Sequence, residues 1–162
     1  MSNFRFLRAE WPSLAQEAAR AEHNAYGDPR ASCFYARRAL ELAVNWLYDY
    51  DRTLQRPYRD DLSAMLFEPT LGRLVGNTIR AKMDIVRRQG NAAVHKNRPV
   101  TSNDSVPVVR ELFHVLYWLA SQPLLARVSG PAGRAAVRHG HHPKALVGKC
   151  SQAAAGRIEG AG

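Results

Sequence analysis

The segment from Asp84 to His95 carries the side chains best suited to chemistry. If a helix runs through Gly90, then Asp84, Arg88, Asn91 and His95 fall within one narrow arc of its surface. In one interpretation, Arg88 places a fixed positive charge beside a phosphate and His95 acts as a general acid or base. That combination suits metal-independent RNA cleavage. In the other interpretation, Asn91 and His95 hydrogen-bond to a neighbouring helix or loop and fix the packing.

Gly90 lies inside a predicted helix, where glycine is unfavourable. A glycine inside a helix costs about 1 kcal/mol relative to alanine, so its presence there favours a structural or functional reason. A close approach of another part of the chain to the helix backbone is such a reason. We therefore expect Gly90 to lie at a tight helix contact.

Several cations surround this segment and form the densest basic region before the last quarter of the chain. They are Arg80, Lys82, Arg87, Arg88, Lys96 and Arg98. If they form one surface, it contacts nucleic-acid phosphates and binds in a salt-sensitive way. The alternative is a solvated helix face whose charge Asp84 partly offsets.

The elements that must position these residues are predicted to be helices, since no segment shows sustained alternation of apolar and polar residues. We expect a first helical segment over residues 4–10 and 12–25, and a second helix from Asp28 and Pro29 to about Tyr48. A short helix over residues 61–67 and a longer one over residues 77–94 should follow. Thr101, Ser102 and Asn103 are candidate caps for the last helix. The predicted fold is an all-α bundle of four or five helices.

Two of these helices have informative faces. The apolar arc of the second helix covers about half of its circumference, so it should be central and buried. It is formed by Cys33, Tyr35, Ala36, Ala39, Leu40, Leu42, Ala43, Val44, Trp46 and Leu47. In the last helix, Arg110, Glu111, His114 and Tyr117 are expected to face outward.

Residues 129–162 differ in composition from residues 1–128. They contain no aromatic side chain, seven of the 11 glycines, and a cluster of His139, His141 and His142. Such a segment cannot bury enough apolar surface to offset its ordering entropy, so we predict a helical domain over residues 1–128 and a basic, disordered tail over residues 129–162. The abrupt change also favours the hypothesis that this is a truncated or frame-shifted form of a longer gene product.

The composition of the 162 residues excludes several classes of protein. With 46% hydrophobic and 23% charged residues, the chain is typical of a folded protein in water rather than a fibre or a wholly disordered chain. No apolar run is long enough for a membrane helix and no secretory signal is recognisable, so we expect a cytoplasmic protein. Cys33 and Cys150 are expected to be reduced thiols. The spacing of the histidines predicts no metal site, and we expect no cofactor.

Two motifs resemble the large restriction subunit of type I restriction–modification systems. One is Ser-Asn-Phe-Arg-Phe-Leu at residues 2–7. The other is Val-Arg-Arg-Gln-Gly-Asn-Ala-Ala-Val-His at residues 86–95, where that family shows a basic pair, then Gly-Asn, then Ala-Val-His. A terminal helix with aromatic residues follows in both. Over residues 2–122 the chain resembles the N-terminal helical domain of unknown function of the DUF4145 type.

Such helical domains look distantly like the HEPN superfamily, whose nuclease members carry Arg, four to six residues, then His. Arg88 and His95 match that spacing, with Gln89 in place of the usual polar residue after the Arg. Many domains of this group are thought to be binding modules rather than nucleases, and the departure at Gln89 favours a binding role. The restriction family's own nuclease carboxylates and its phosphate-binding loop have no counterpart in this sequence.

The resemblance therefore implies a non-catalytic accessory module for DNA restriction and phage defence. It would dock the restriction subunit, an ATP-dependent site-specific deoxyribonuclease in full-length relatives, on its methyltransferase and specificity subunits or on DNA. One alternative is a HEPN-like, metal-independent ribonuclease that uses Arg88 and His95, as a dimer. Another is a stand-alone homodimer in a defence or toxin–antitoxin setting.

Overall fold

In the computed structural model, residues 1–95 and 99–122 are described. A short 3-10 helix spans Arg5–Leu7, and five α-helices follow within these ranges, with no strand. They are α1 (Pro12–Gly27), α2 (Pro29–Tyr50), α3 (Leu62–Phe67), α4 (Pro69–His95) and α5 (Ser102–Ala120). The prediction of an all-α fold is confirmed. The predicted disordered tail over residues 129–162 lies outside the described residues, as do Cys150 and the histidine cluster.

Two of the helices, α2 and α3, begin where local signals predict. The Asp28 carboxylate accepts a hydrogen bond from the backbone N–H of Ala31 at 3.0 Å, which caps α2 in front of Pro29. Asp61 caps α3 in the same way, through the N–H of Ala64 at 2.9 Å. Both caps satisfy a backbone donor that the first helical turn leaves without a partner.

The N-terminal segment differs from expectation. Residues 4–10 are predicted to be helical, yet only Arg5–Leu7 form a helix, of the 3-10 type. The reason lies at Trp11, which precedes Pro12 and has a non-helical backbone (φ −134°, ψ 71°). Because the proline ring disfavours a helical conformation in the residue before it, the chain turns there and α1 begins anew.

Helix α2 is central, as predicted from its wide apolar arc. It packs against α1, α4, α5 and α3, and α5 in turn packs against α1 and α4. Cys33, Ala36, Leu40, Val44 and Leu47 of α2 are all buried. The largest fully buried side chains come from the N-terminal 3-10 segment and from α2 to α5: Phe4, Leu7, Leu40, Leu47, Met65, Leu66, Leu71, Met83, Leu112, Leu116, Leu119 and Val44.

Helix α3 is tied to α2 by a buried hydrogen bond. The phenol of Tyr48 donates to the carbonyl oxygen of Met65 at 2.8 Å. Burial, reinforced by the nearby charge of Glu68, raises the pKa of Tyr48 to about 12. The phenol therefore keeps its proton, and with it the hydrogen bond, at any physiological pH.

Helix α4 is interrupted at Gly76, whose φ of +75° and ψ of 164° only glycine adopts readily. The long helix predicted over residues 77–94 thus corresponds to the second half of α4, and a further helical segment precedes Gly76. The guanidinium of Arg80 lies across this interruption. It donates to the Asn77 side chain at 3.2 Å and lies near Gly72.

The last helix departs from its predicted orientation at one residue. Glu111 is expected to face outward but is only 9% exposed. Helix α5 packs against α1, α2 and α4, so its buried arc is wider than its apolar stripe. Glu111 lies in the part of that arc that faces α4, where its carboxylate pairs with the ammonium of Lys82.

Candidate functional site

Gly90 lies where α4 packs closely against α2. It is buried, and a Cβ atom added to it would lie 2.5 Å from the Cβ of Arg37 and 3.0 Å from its Cδ. Real Cβ atoms do not approach that closely, so the position accepts no side chain unless α2 and α4 separate. The close approach predicted from the sequence is confirmed, and its partner is the stem of Arg37.

Asp84 binds two arginines of its own helix. Its Oδ1 accepts from Arg87 at 2.7 and 2.9 Å, and its Oδ2 lies 3.0 Å from Nε of Arg88. The Arg87 guanidinium also lies over the ring of Phe67, 6.0 Å from its centroid, and its side chain is only 16% exposed. Arg87 therefore serves to hold the end of α3 against α4.

Arg88 and His95 are both exposed, but the structure does not join them. They stand seven residues apart on one face of α4, which separates their Cα atoms by about 10 Å along the helix axis. Among the described residues, no hydrogen bond orients the imidazole of His95 or the amide of Asn91. Arg88 pairs instead with Asp84 of its own helix, and the roles predicted for His95 and Asn91 stay predictions.

The end of the motif is instead tied to α2 by Arg30. Its guanidinium donates a hydrogen bond to the carbonyl oxygen of Ala93. A carbonyl in the last turn of a helix has no partner within the helix, so a cation there satisfies it and complements the helix dipole. Gly90 and Ala93, one turn apart, thus both attach α4 to α2.

The cations expected to form one basic surface point in different directions. Arg80 folds back over Gly72, Arg87 lies against Phe67, and Lys82 faces α5. Lys96 and Arg98 lie outside the described residues. Among the described cations of this region, only Arg88 has a well exposed side chain (64%). The structure thus does not bring Arg80, Lys82 and Arg87 onto a shared surface.

Lys82 takes part in a charge cluster that the sequence did not reveal. Its ammonium donates to Oε2 of Glu111 and lies 3.1 Å from Nδ1 of His114, which is itself 3.3 Å from the same carboxylate oxygen. Arg110 reaches the other oxygen at 3.3 Å. No local signal marks this cluster, because Lys82 and Glu111 are 29 residues apart in the sequence.

The carboxylate of Glu111 is charged in this setting. Burial raises its pKa, but the hydrogen bonds from Lys82 and His114 and their positive charges outweigh that effect, so the pKa lies below its ordinary value of 4.5. A buried carboxylate that stays ionised requires its cation, which makes Lys82 a structural partner across α4 and α5.

An apolar depression lies beside the end of the motif. It has a volume of about 320 Å³ and is formed by the start of α2 and the end of α4. Phe34, 42% exposed, and Val94, 53% exposed, both line it, and Asp28 and Arg30 stand around it. Two large apolar side chains on neighbouring helices are therefore open to solvent at one place.

Within residues 1–95 and 99–122, no group of three or more His, Cys, Asp or Glu side chains could hold a metal ion. In the same part of the chain, every helix is too short or too polar to cross a membrane.

Comparison with known proteins identifies a family. Residues 19–129 match the family model described as "Domain of unknown function (DUF4145)". The matched range includes α2 to α5 and the whole segment from Asp84 to His95, whereas residues 2–7 lie outside it. Neither a curated protein nor a solved structure matches the chain.

Proposed function

Because the chain belongs to the DUF4145 family, we propose that its helical part is a non-catalytic docking module at the N-terminus of a type I restriction subunit. Its partners are the methyltransferase and specificity subunits of that complex. The resemblance of residues 86–95 to the restriction family supports this assignment. The packing role of Gly90 and the pairing of Arg88 with Asp84 support a motif that positions helices rather than one that cleaves a substrate.

The observation that carries the proposal is the exposed pair of Phe34 and Val94. Single apolar side chains on a protein surface are ordinary, whereas two around one depression with charged residues at its rim are typical of a protein interface. Arg30 holds the two helices together beneath the pair through the carbonyl of Ala93. The depression is therefore already formed before any partner arrives, which lowers the entropic cost of binding.

Binding to purified methyltransferase and specificity subunits tests the proposal directly. We expect Phe34→Asp and Val94→Asp each to weaken binding by about tenfold or more, because each buries a charge in an apolar contact. The matched control is Tyr58→Asp, since Tyr58 is fully exposed in the loop before α3 and away from the depression. Circular dichroism on each variant shows that the fold is retained. Equal binding by all four proteins would refute this docking surface.

A second candidate, a HEPN-like ribonuclease, is favoured by the exposure of Arg88 and His95 on one face of α4. It predicts RNA cleavage in EDTA that His95→Ala and Arg88→Ala abolish. His23→Ala is the control, because His23 is an exposed histidine on α1. Cleavage that is lost only in the first two variants would replace the docking proposal with the ribonuclease. We expect that none of these proteins cleaves RNA.

The third candidate from the sequence, a stand-alone homodimer, makes a different prediction. It requires a concentration-dependent dimer in analytical ultracentrifugation together with no binding to the restriction subunits. The docking proposal predicts instead that the chain binds the methyltransferase and specificity subunits.

A further inference from the structure

The outward side of α5 carries a row of three exposed side chains. Arg110, His114 and Tyr117 follow one another at spacings of four and three residues, so they share one face of the helix. The side chains of Arg110 and His114 are 67% and 44% exposed, and Tyr117 is 58% exposed. Lys82 of α4 stands beside His114. We call these four residues the α5 outer face.

The ring of Tyr117 is held in place although one side of it is open. It stacks on Phe113, with centroids 6.0 Å apart and planes at 18°, and meets the ring of Phe6 edge-on at 6.0 Å. Phe6 also contacts Phe113, so three aromatic rings support one another. An exposed aromatic ring that is already ordered loses little entropy when a flat group stacks on it.

The surroundings of this ring favour an anion. Lys82 and Arg110 carry two positive charges, against the one carboxylate of Glu111. The guanidinium of Arg110 also stays largely exposed while it contacts Glu111, so it can contact a phosphate as well. Single-stranded nucleic acid offers both kinds of group, because its exposed flat bases alternate with phosphates along the strand.

We propose that the α5 outer face binds single-stranded nucleic acid, with one base stacked on Tyr117, a neighbouring phosphate against Arg110, and Lys82 adding positive charge beside them. A duplex keeps its bases stacked inside and offers the ring no flat partner, so a single strand is the preferred ligand. This inference goes beyond the docking function and uses a surface of different residues from the depression of Phe34 and Val94.

Fluorescence anisotropy with labelled oligo-dT and oligo-U probes tests the proposal on the full chain. We expect Tyr117→Ala to weaken binding by about tenfold, the effect of losing one base–aromatic stack, while Tyr117→Phe binds as the unchanged protein does. Tyr58→Ala is the matched control, since Tyr58 is an exposed tyrosine elsewhere on the surface. Because residues 129–162 are present in every variant, any contribution from their charge cancels.

Two further measurements complete the test. Arg110→Gln should reduce the dependence of log K on log salt concentration by about 0.7, the value for one phosphate of a single strand. Tyr117→Leu keeps apolar packing on Phe113 without a ring for stacking, so it replaces Tyr117→Ala if that variant unfolds. The proposal is overturned by equal affinities of Tyr117→Ala and the unchanged protein for the single-stranded probes, or by a loss in Tyr117→Ala that is as large for a duplex as for a single strand.

Discussion

Helix α4 is attached to α2 and to α5 by two different kinds of contact. Against α2, Gly90 lets the backbone approach the stem of Arg37, so the contact depends on shape. Against α5, Lys82 meets the buried carboxylate of Glu111, so the contact depends on charge. The contact with α2 should not depend on pH, whereas the contact with α5 should weaken when the Glu111 carboxylate is protonated. One helix therefore offers both kinds of contact for direct comparison.

The largest effect is expected at the contact with α2. Gly90→Val should lower the free energy of unfolding by about 2–3 kcal/mol, because a side chain there overlaps Arg37 and forces the helices apart. Urea denaturation measures the loss. Gly72→Ala is the control within the same helix, since a Cβ there meets only the flexible end of Arg80 at 3.3 Å. It should be neutral or stabilise by up to about 1 kcal/mol through helix propensity. If Gly90→Val is as stable as Gly72→Ala, the close contact is not a constraint.

The contact with α5 should be the next most sensitive. Lys82→Met should cost about 2 kcal/mol, because it leaves the Glu111 carboxylate, 11% exposed, without its principal cation. Arg110→Gln touches the same carboxylate from an exposed position and should change the stability by less than about 0.5 kcal/mol. Equal losses of unfolding free energy in the two variants would mean that the ion pair with Lys82 of α4 stabilises the fold no more than the exposed pair with Arg110 does.

The pH dependence separates the two contacts further. Because the folded pKa of Glu111 lies below its ordinary value, the unfolded chain takes up a proton at this group more readily as the pH falls. Its stabilisation is therefore present above the ordinary value of 4.5 and is lost as the pH falls through the folded pKa. Glu111→Gln should reduce the fall in stability between pH about 6 and about 3, whereas Gly90→Val should leave that fall unchanged. A fall of the same size in Glu111→Gln and in the unchanged protein would contradict this account.

The same contrast explains what the sequence could and could not predict. The start of α2 at Asp28 and Pro29, the helix after Gly76 and the close approach at Gly90 follow from signals within a few residues of each position. Glu111 has no such signal, because its burial depends on Lys82 in another helix.

The basic region shows the same limit. Periodicity places Arg88 and His95 on one face of α4, but sharing a face does not bring two side chains into contact. It also gives no indication that Lys82 faces α5 while Arg87 lies on Phe67, since neighbouring helices decide those directions.

The smallest expected effect distinguishes the two arginines that bind Asp84. Arg87→Ala should cost about 1 kcal/mol, because it removes an ion pair and the packing of its guanidinium on Phe67 at a position only 16% exposed. Arg88→Ala removes an exposed partner of the same carboxylate and should change the stability by less than about 0.5 kcal/mol. Thermal unfolding of both variants measures the difference. A loss in Arg88→Ala as large as that in Arg87→Ala would make Arg88 a packing residue, and a ribonuclease assay on that variant could then no longer separate lost chemistry from lost structure.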